Sequence, residues 1–223
     1  MAEHVDDTER VERAKRHAAL GEPSRLAIID ALSASDRSPQ ELQQRFAIPS
    51  NLLAHHLDVL EAAGLIERRR SSGDGRRRYV HLRPGSIDGL RPRPAATPQP
   101  ALFVCTANSA RSQLAAALWR SITRARAVSA GTHPAAAVHP GAVAAARRVG
   151  IDLTAATPTD LADVIRRPAL TITVCDRAHE ELDPAPEWLH WSIPDPVPTG
   201  SRHAFDATIV ELRRRITDLA GAA

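Results

Sequence analysis

Leu53, Leu57 and Leu60 recur at helical spacing, which predicts an amphipathic helix over residues 50–62 with its leucines turned to a core. Asn51, Ala54, His55 and Asp58 fall on the opposite side of that helix. Gly64 supplies a stop. Upstream, residues 8–20 have helical composition up to Gly21, and Leu26, Ile29 and Leu32 give one apolar face over residues 24–33. Ser38-Pro39-Gln40-Glu41 is a capping box with proline at the first helical position, so a short helix runs to about Phe46. Ala47-Ile48-Pro49 is a turn, and Ser50 is placed to cap the next helix. Downstream, residues 65–70 read as a strand, Ser71 to Gly75 as a turn, and Arg76 to Leu82 as the returning strand. Two helices joined by a short turn and followed by a hairpin make an α+β winged helix-turn-helix. A plain three-helix domain with a solvated charged hairpin is the alternative.

The pattern changes after residue 100. Ala101-Leu102-Phe103-Val104 is a continuous apolar run, as in a parallel strand buried on both faces. Leu114, Leu118 and Ile122 then mark a helix. Further strands are expected at Arg126–Ser129, Leu170–Val174 and Trp188–Trp191, and a helix at Ala142–Val149. Phe205, Ile209, Leu212, Ile216 and Leu219 mark a long closing helix after Ser201. Strands alternating with helices predict an α/β domain built on a four-stranded parallel sheet. Between the two patterns, Arg91 to Pro100 hold four prolines, which suit neither helix nor central strand. The expected division is a DNA-binding domain over 1–85, a linker over 86–100 and an α/β domain over 101–223.

Charge sharpens the first domain. Between Arg68 and Arg93 nine arginines face only Asp74 and Asp88. A block this basic suits an anionic partner such as double-stranded DNA. The expected contacts are Ser50, Asn51, Ala54 and His55 in the major groove, with Arg76, Arg77 and Arg78 of the wing on phosphates. Lys15 is the single lysine, so nearly all the basic residues are arginine, a bias that genome composition alone would produce. The histidines at 17, 55, 56 and 81 lack metal-ligand spacing, and no metal site is expected.

The chain has two cysteines, too few for a disulfide scaffold. No run of about 18 apolar residues exists, and Met1 to Glu12 are acidic without an apolar segment. The expectation is a cytoplasmic protein with reduced thiols and no membrane partner. Cys105 opens a Cys-x5-Arg-Ser loop between a strand and a helix: Cys105, Thr106, Ala107, Asn108, Ser109, Ala110, Arg111, Ser112. Backbone N–H groups wrapped at a helix N-terminus make an oxyanion site, and the Arg111 fork suits two oxygens of a tetrahedral anion. That positive environment predicts a lowered pKa for Cys105 and a thiolate nucleophile.

Two resemblances follow. His55-His56-Leu57-Asp58-Val59-Leu60-Glu61-Ala62-Ala63-Gly64-Leu65-Ile66, with Leu20-Gly21-Glu22-Pro23-Ser24-Arg25, resembles the ArsR/SmtB repressors. This implies a homodimer on a palindromic operator. The Cys-x-Cys of arsenic-sensing members is missing from Glu41–Arg45, so this domain alone cannot build a thiolate sensor. The second domain resembles low-molecular-weight protein tyrosine phosphatases, and among them the arsenate reductases. The resemblance rests on the Cys105 loop, Ser129-Ala130-Gly131-Thr132, Gly150-Ile151-Asp152-Leu153, Thr173-Val174-Cys175-Asp176 and His190-Trp191-Ser192-Ile193-Pro194-Asp195-Pro196. It implies Cys105 as nucleophile, Arg111 as clamp, Asn108 as brace and Ser112 as hydrogen-bond partner of the thiolate. It also implies Asp195 as general acid and Cys175 as a second redox cysteine. A third cysteine would fall at position 182, which here is Leu182.

The leading expectation is a repressor fused to an arsenate reductase. It binds no cofactor and draws on an external thiol: thioredoxin, glutaredoxin with glutathione, or mycoredoxin with mycothiol. Arsenate or phosphate is the expected oxyanion. The alternatives are a regulator that senses an oxyanion or redox state without turnover, and a phosphatase tethered to DNA. Val197 follows Pro196 where a tyrosine phosphatase would carry an aromatic residue.

Overall fold

The computed structural model describes residues 2–87, 99–164, 168–185 and 187–220, with side chains from residue 10 onward. The chain divides into two compact units, residues 1–70 with 76–92, and residues 71–75 with 93–223. Residues 88–98, which hold most of the proline-rich segment, lie outside the described residues.

The first unit contains α1 (Ala2–Leu20), α2 (Pro23–Ala34), α3 (Pro39–Phe46) and α4 (Ser50–Ala62), then β1 (Ile66–Arg70) and β2 (Arg78–Leu82). Ser38 and Glu41 form the reciprocal capping box that starts α3. Leu53, Leu57 and Leu60 are buried together with Ile28, Ile29, Leu32 and Leu42. Gly64 adopts φ +69 and turns the chain from α4 into β1. β1 and β2 pair antiparallel, and Arg37 adds a bridge on Val80, giving the small sheet of a winged helix.

Three expectations are corrected here. Leu26 is 45% exposed, and Ile28 takes its place in the core, because the buried face follows 28, 29 and 32 rather than 26, 29 and 32. Ser50 does not cap α4: Pro49 is the N-cap and no side chain bonds there, so the proline sets the entry of the chain by its own backbone angle. The returning strand begins at Arg78, leaving Arg76 and Arg77 in the turn.

The second unit runs β3 (Ala101–Cys105), α5 (Arg111–Thr123), β4 (Ala127–Gly131), α6 (Pro140–Arg148), β5 (Leu170–Thr173), α7 (Asp176–Leu182), β6 (Leu189–His190) and α8 (Arg202–Ala220). The four strands are parallel in the order β4-β3-β5-β6. β3 is buried on both faces. Ala101, Phe103 and Cys105 join a core with residues of α5, α6 and α8, while Leu102 and Val104 join Ala130 and Leu161. Short α7 lies in a stretch with no apolar run long enough to announce a helix, and the pattern of the sequence missed it.

The topology positions the chemistry. The chain leaves β3 to one side, for β4, and returns on the other, as β5. This reversal opens a crevice at the C-terminal ends of β3 and β5. Val104 is in register with Thr173, so Cys105 and Cys175, far apart in sequence, both emerge at that crevice.

Candidate functional site

The loop from Cys105 to Ala110 is shaped by contacts to residues outside it. The carbonyl oxygens of Cys105, Thr106, Ala107 and Ser109 accept from the backbone N–H groups of Thr132, His133, Ala135 and His139, at 3.1, 2.9, 2.9 and 2.8 Å. Tying four carbonyls to that flanking segment turns the loop's N–H groups the other way, toward the Cys105 side. The Asn108 N–H donates to Cys105 Sγ at 3.2 Å. α5 begins at Arg111 without a side-chain cap, so the N–H groups of its first turn remain available to an anion. Gly131 permits this packing: a Cβ there would lie 2.6 Å from Thr106 O and 3.0 Å from Asn108 Cβ.

Asn108 is fully buried and holds the loop from within at φ +47. Its Oδ1 accepts from the Thr159 backbone N–H at 2.8 Å and from Gln113 Nε2 at 3.0 Å. The backbone donor fixes the amide orientation, so Nδ2 donates to Ser112 Oγ at 2.7 Å. Ser112 thereby accepts from Asn108 and its own hydroxyl hydrogen is free for Cys105 Sγ, 3.0 Å away. Gln113, which anchors this chain to Thr157 O as well, was not among the residues expected from sequence. Its position one residue past the motif carried no distinguishing signal.

The lowered pKa expected for Cys105 is not found. Burial pushes the thiol up and the neighbouring Cys175 adds to this, against Arg111 and Ser112, which pull it down. The cause is visible in the geometry. Arg111 spends its fork on Asp195 Oδ2 at 2.8 Å and Ile193 O at 3.1 Å. Part of its charge is thus already matched.

Cys175 is as buried as Cys105. Its Sγ meets Thr106 Oγ1 at 3.2 Å and accepts from Ala178 N–H at 3.4 Å, forming the N-cap of α7. Cys105, Thr106, Arg111, Cys175 and Asp195 line a single pocket. Behind Cys175 lies a buried polar cluster that sequence reading did not assemble. Thr173 Oγ1 contacts His179 Nδ1 at 3.0 Å and His190 Nδ1 at 2.9 Å, and the two rings stack 4.1 Å apart. His190 Nε2 stands 3.3 Å from Asp176 Oδ1. Burial alone would raise the Asp176 carboxyl, but His190, the Ser72 backbone N–H at 2.7 Å and Ser192 together outweigh that and lower it to about 2. Leu182 ends α7 and packs on the apolar cluster of Leu102, Val104, Ala130 and Leu161.

In the first unit, Asn51, Ala54, His55 and Asp58 are all exposed on α4, as is Ser50. Arg76, Arg77 and Arg78 are exposed too. The basic block is partly neutralised, since Arg68 bridges Asp58 and Glu61 at 2.6 Å each and Arg69 pairs with Glu67. Among the described residues no group of three or more His, Cys, Asp or Glu is arranged to hold a metal, and no helix is long and apolar enough to cross a membrane.

A family model described as low molecular weight phosphotyrosine protein phosphatase matches residues 101–223, more than half of the chain. The chain belongs to the low-molecular-weight phosphatase family. A helix-turn-helix domain model matches residues 20–69, so this phosphatase-family domain is fused to a helix-turn-helix domain. An arsenate reductase of Brevibacillus brevis is 33% identical over 99 residues, which cover 42% of this chain and 74% of the relative. An arsenate reductase of Staphylococcus saprophyticus is 37% identical over 103 residues, 42% of this chain and 76% of the relative. Among solved structures, a low-molecular-weight tyrosine phosphatase from T. tengcongensis shares the fold. It is 20% identical with a TM-score of 0.50, over 56% of this chain and 99% of the other.

Proposed function

We propose that this family member is a DNA-binding regulator fused to a thiol-coupled arsenate reductase. The observation that carries this reading is the pairing of Cys105 and Cys175 in one pocket, joined through Thr106. A phosphatase needs one thiol, whereas reducing arsenic(V) takes two electrons, which two thiols supply.

Arsenate enters against the loop N–H groups and displaces Asp195 from the Arg111 fork, which then holds two of its oxygens. Bringing the fork to the anion and removing the Cys105 proton act together, because the thiol is otherwise held protonated by burial. The Ser112 hydroxyl donates to the sulfur and favours the thiolate. Cys105 Sγ attacks arsenic while Asp195, released from Arg111 as a carboxylate, takes up the thiol proton and passes it to an arsenic-bound hydroxyl, which departs as water. Cys175 Sγ then attacks Cys105 Sγ. The S–As bonding pair returns to arsenic, arsenite leaves as arsenic(III), and a Cys105–Cys175 disulfide remains. Two external thiols reduce that disulfide. In the helix-turn-helix domain, Ser50, Asn51, Ala54 and His55 read an operator and Arg76, Arg77 and Arg78 meet its phosphates, in a homodimer.

The test supplies the full-length protein with arsenate and a thioredoxin, glutaredoxin–glutathione or mycoredoxin–mycothiol system. p-Nitrophenyl phosphate is offered separately. Arsenite release that disappears in Cys105→Ser is the expected result. Ester hydrolysis without arsenite would make the domain a phosphatase. No turnover, with operator binding that responds to oxyanion, would make it a sensor.

A further inference from the structure

Both sulfurs sit at the bottom of the pocket, Cys105 at 2% and Cys175 at 1% exposure. By the resemblance, a third cysteine at position 182 would carry the disulfide along α7. Leu182 instead seals an apolar cluster. A disulfide formed here has no internal route outward, and its reductant has to come down the pocket. A small thiol fits that approach better than the surface of a folded dithiol protein.

The pocket also carries a cation that the arsenate chemistry does not use. Arg177, two residues beyond Cys175, lines the opening and is exposed. Its helical neighbour at i+4, Glu181, is engaged by His133 Nε2 at 2.8 Å and by the Thr132 hydroxyl at 3.2 Å. Among the described residues the Arg177 side chain makes no hydrogen bond or ion pair. The other charges in the lining, Arg111 and Asp195, face each other at 2.8 Å. The unmatched charge at the mouth is therefore positive.

We propose that Arg177 forms a subsite for the anionic group of a low-molecular-weight thiol that reopens the Cys105–Cys175 disulfide. This rests on the two-cysteine reading above. One thiolate of the small molecule attacks a sulfur of the disulfide, gives a mixed disulfide and expels the other protein sulfur as thiolate. A second thiolate attacks the small-molecule sulfur of that mixed disulfide and releases the second protein thiolate. Two electrons pass to the protein, two protons restore its thiols, and the small thiol leaves as its own disulfide.

The experiment oxidises the full-length protein with diamide and follows recovery of its thiols with 2-mercaptoethanesulfonate and with 2-mercaptoethanol, at matched thiolate concentration. The anionic thiol is expected to react about three to five times faster, the range of one exposed charge pair. This ratio falls to about one in Arg177→Ala, drops below one in Arg177→Glu and survives in Arg177→Lys. A ratio that is the same in all three variants, or a protein that forms no Cys105–Cys175 disulfide, overturns the proposal. Arsenite release with dithiothreitol is measured in parallel. Its loss beside a retained charge preference condemns the reductase reading, and a charge-blind reduction beside intact release condemns the subsite.

Discussion

Asn108→Ala removes the amide that joins the Cys105–Ala110 loop to the body of its domain. Three hydrogen bonds disappear, to Ser112, Gln113 and the Thr159 N–H. Each contributes about 1 kcal/mol net, and Thr159 loses a partner that solvent does not readily replace. Asn108 also sits at φ +47, where alanine is strained by about 1 kcal/mol. The expected loss of stability is about 4 kcal/mol. Asn108→Gly loses the same bonds but not the strain, and the greater backbone freedom of glycine in the unfolded chain returns part of that gain. It is expected to lose about 3 kcal/mol. Urea unfolding followed by tryptophan fluorescence reads this domain alone, because Trp119, Trp188 and Trp191 are the only tryptophans in the chain and all lie within it. A loss below about 1 kcal/mol in both variants, or an alanine variant clearly more stable than the glycine one, would refute the reasoning.

Other outcomes follow from the same geometry. Gly131→Ala forces its methyl against Thr106 O and displaces the loop, with an expected loss of about 1–3 kcal/mol in stability and about a hundredfold in arsenite release. Ser112→Ala removes the hydroxyl donor to Cys105 and raises its thiol further, which alkylation by iodoacetamide at increasing pH would register as a later midpoint. Asp176 titrates near 2 when folded and near the ordinary aspartate value when unfolded, so its contribution is complete above about pH 4 and is lost as the pH falls toward 2. Asp176→Asn should flatten the acid dependence of unfolding in that window by about 2 kcal/mol. Replacing Arg76, Arg77 and Arg78 by alanine should make the salt dependence of operator binding shallower by up to about three in the log–log slope, and an unchanged slope would reject phosphate contact by the wing.

The sequence made some parts of this molecule legible and left others silent, for physical reasons. The capping box at Ser38, the leucine face of α4 and the apolar strand β3 depend on short-range patterns that a single segment carries in full. The Cys105 motif likewise states its own chemistry. The polar cluster of Thr173, Asp176, His179 and His190 could not be read in advance, because it joins a strand, a seven-residue helix and a second strand through contacts with no shared periodicity. The pKa of Cys105 was misjudged for a related reason. The motif advertises Arg111, while the partners that occupy Arg111 lie in the 193–195 segment, far along the chain.

The hydrogen bonds from residues 132–139 to the loop carbonyls separate where the loop's shape is stored from where its chemistry is written. Those bonds involve only backbone, so Ala107 and Ser109 are not needed by identity to keep the curve of the loop. Variation at these two positions can retune what the pocket accepts while the cradle persists. Conversely, grafting the eight motif residues onto a foreign strand–helix junction would transfer the thiol without the concavity that surrounds it.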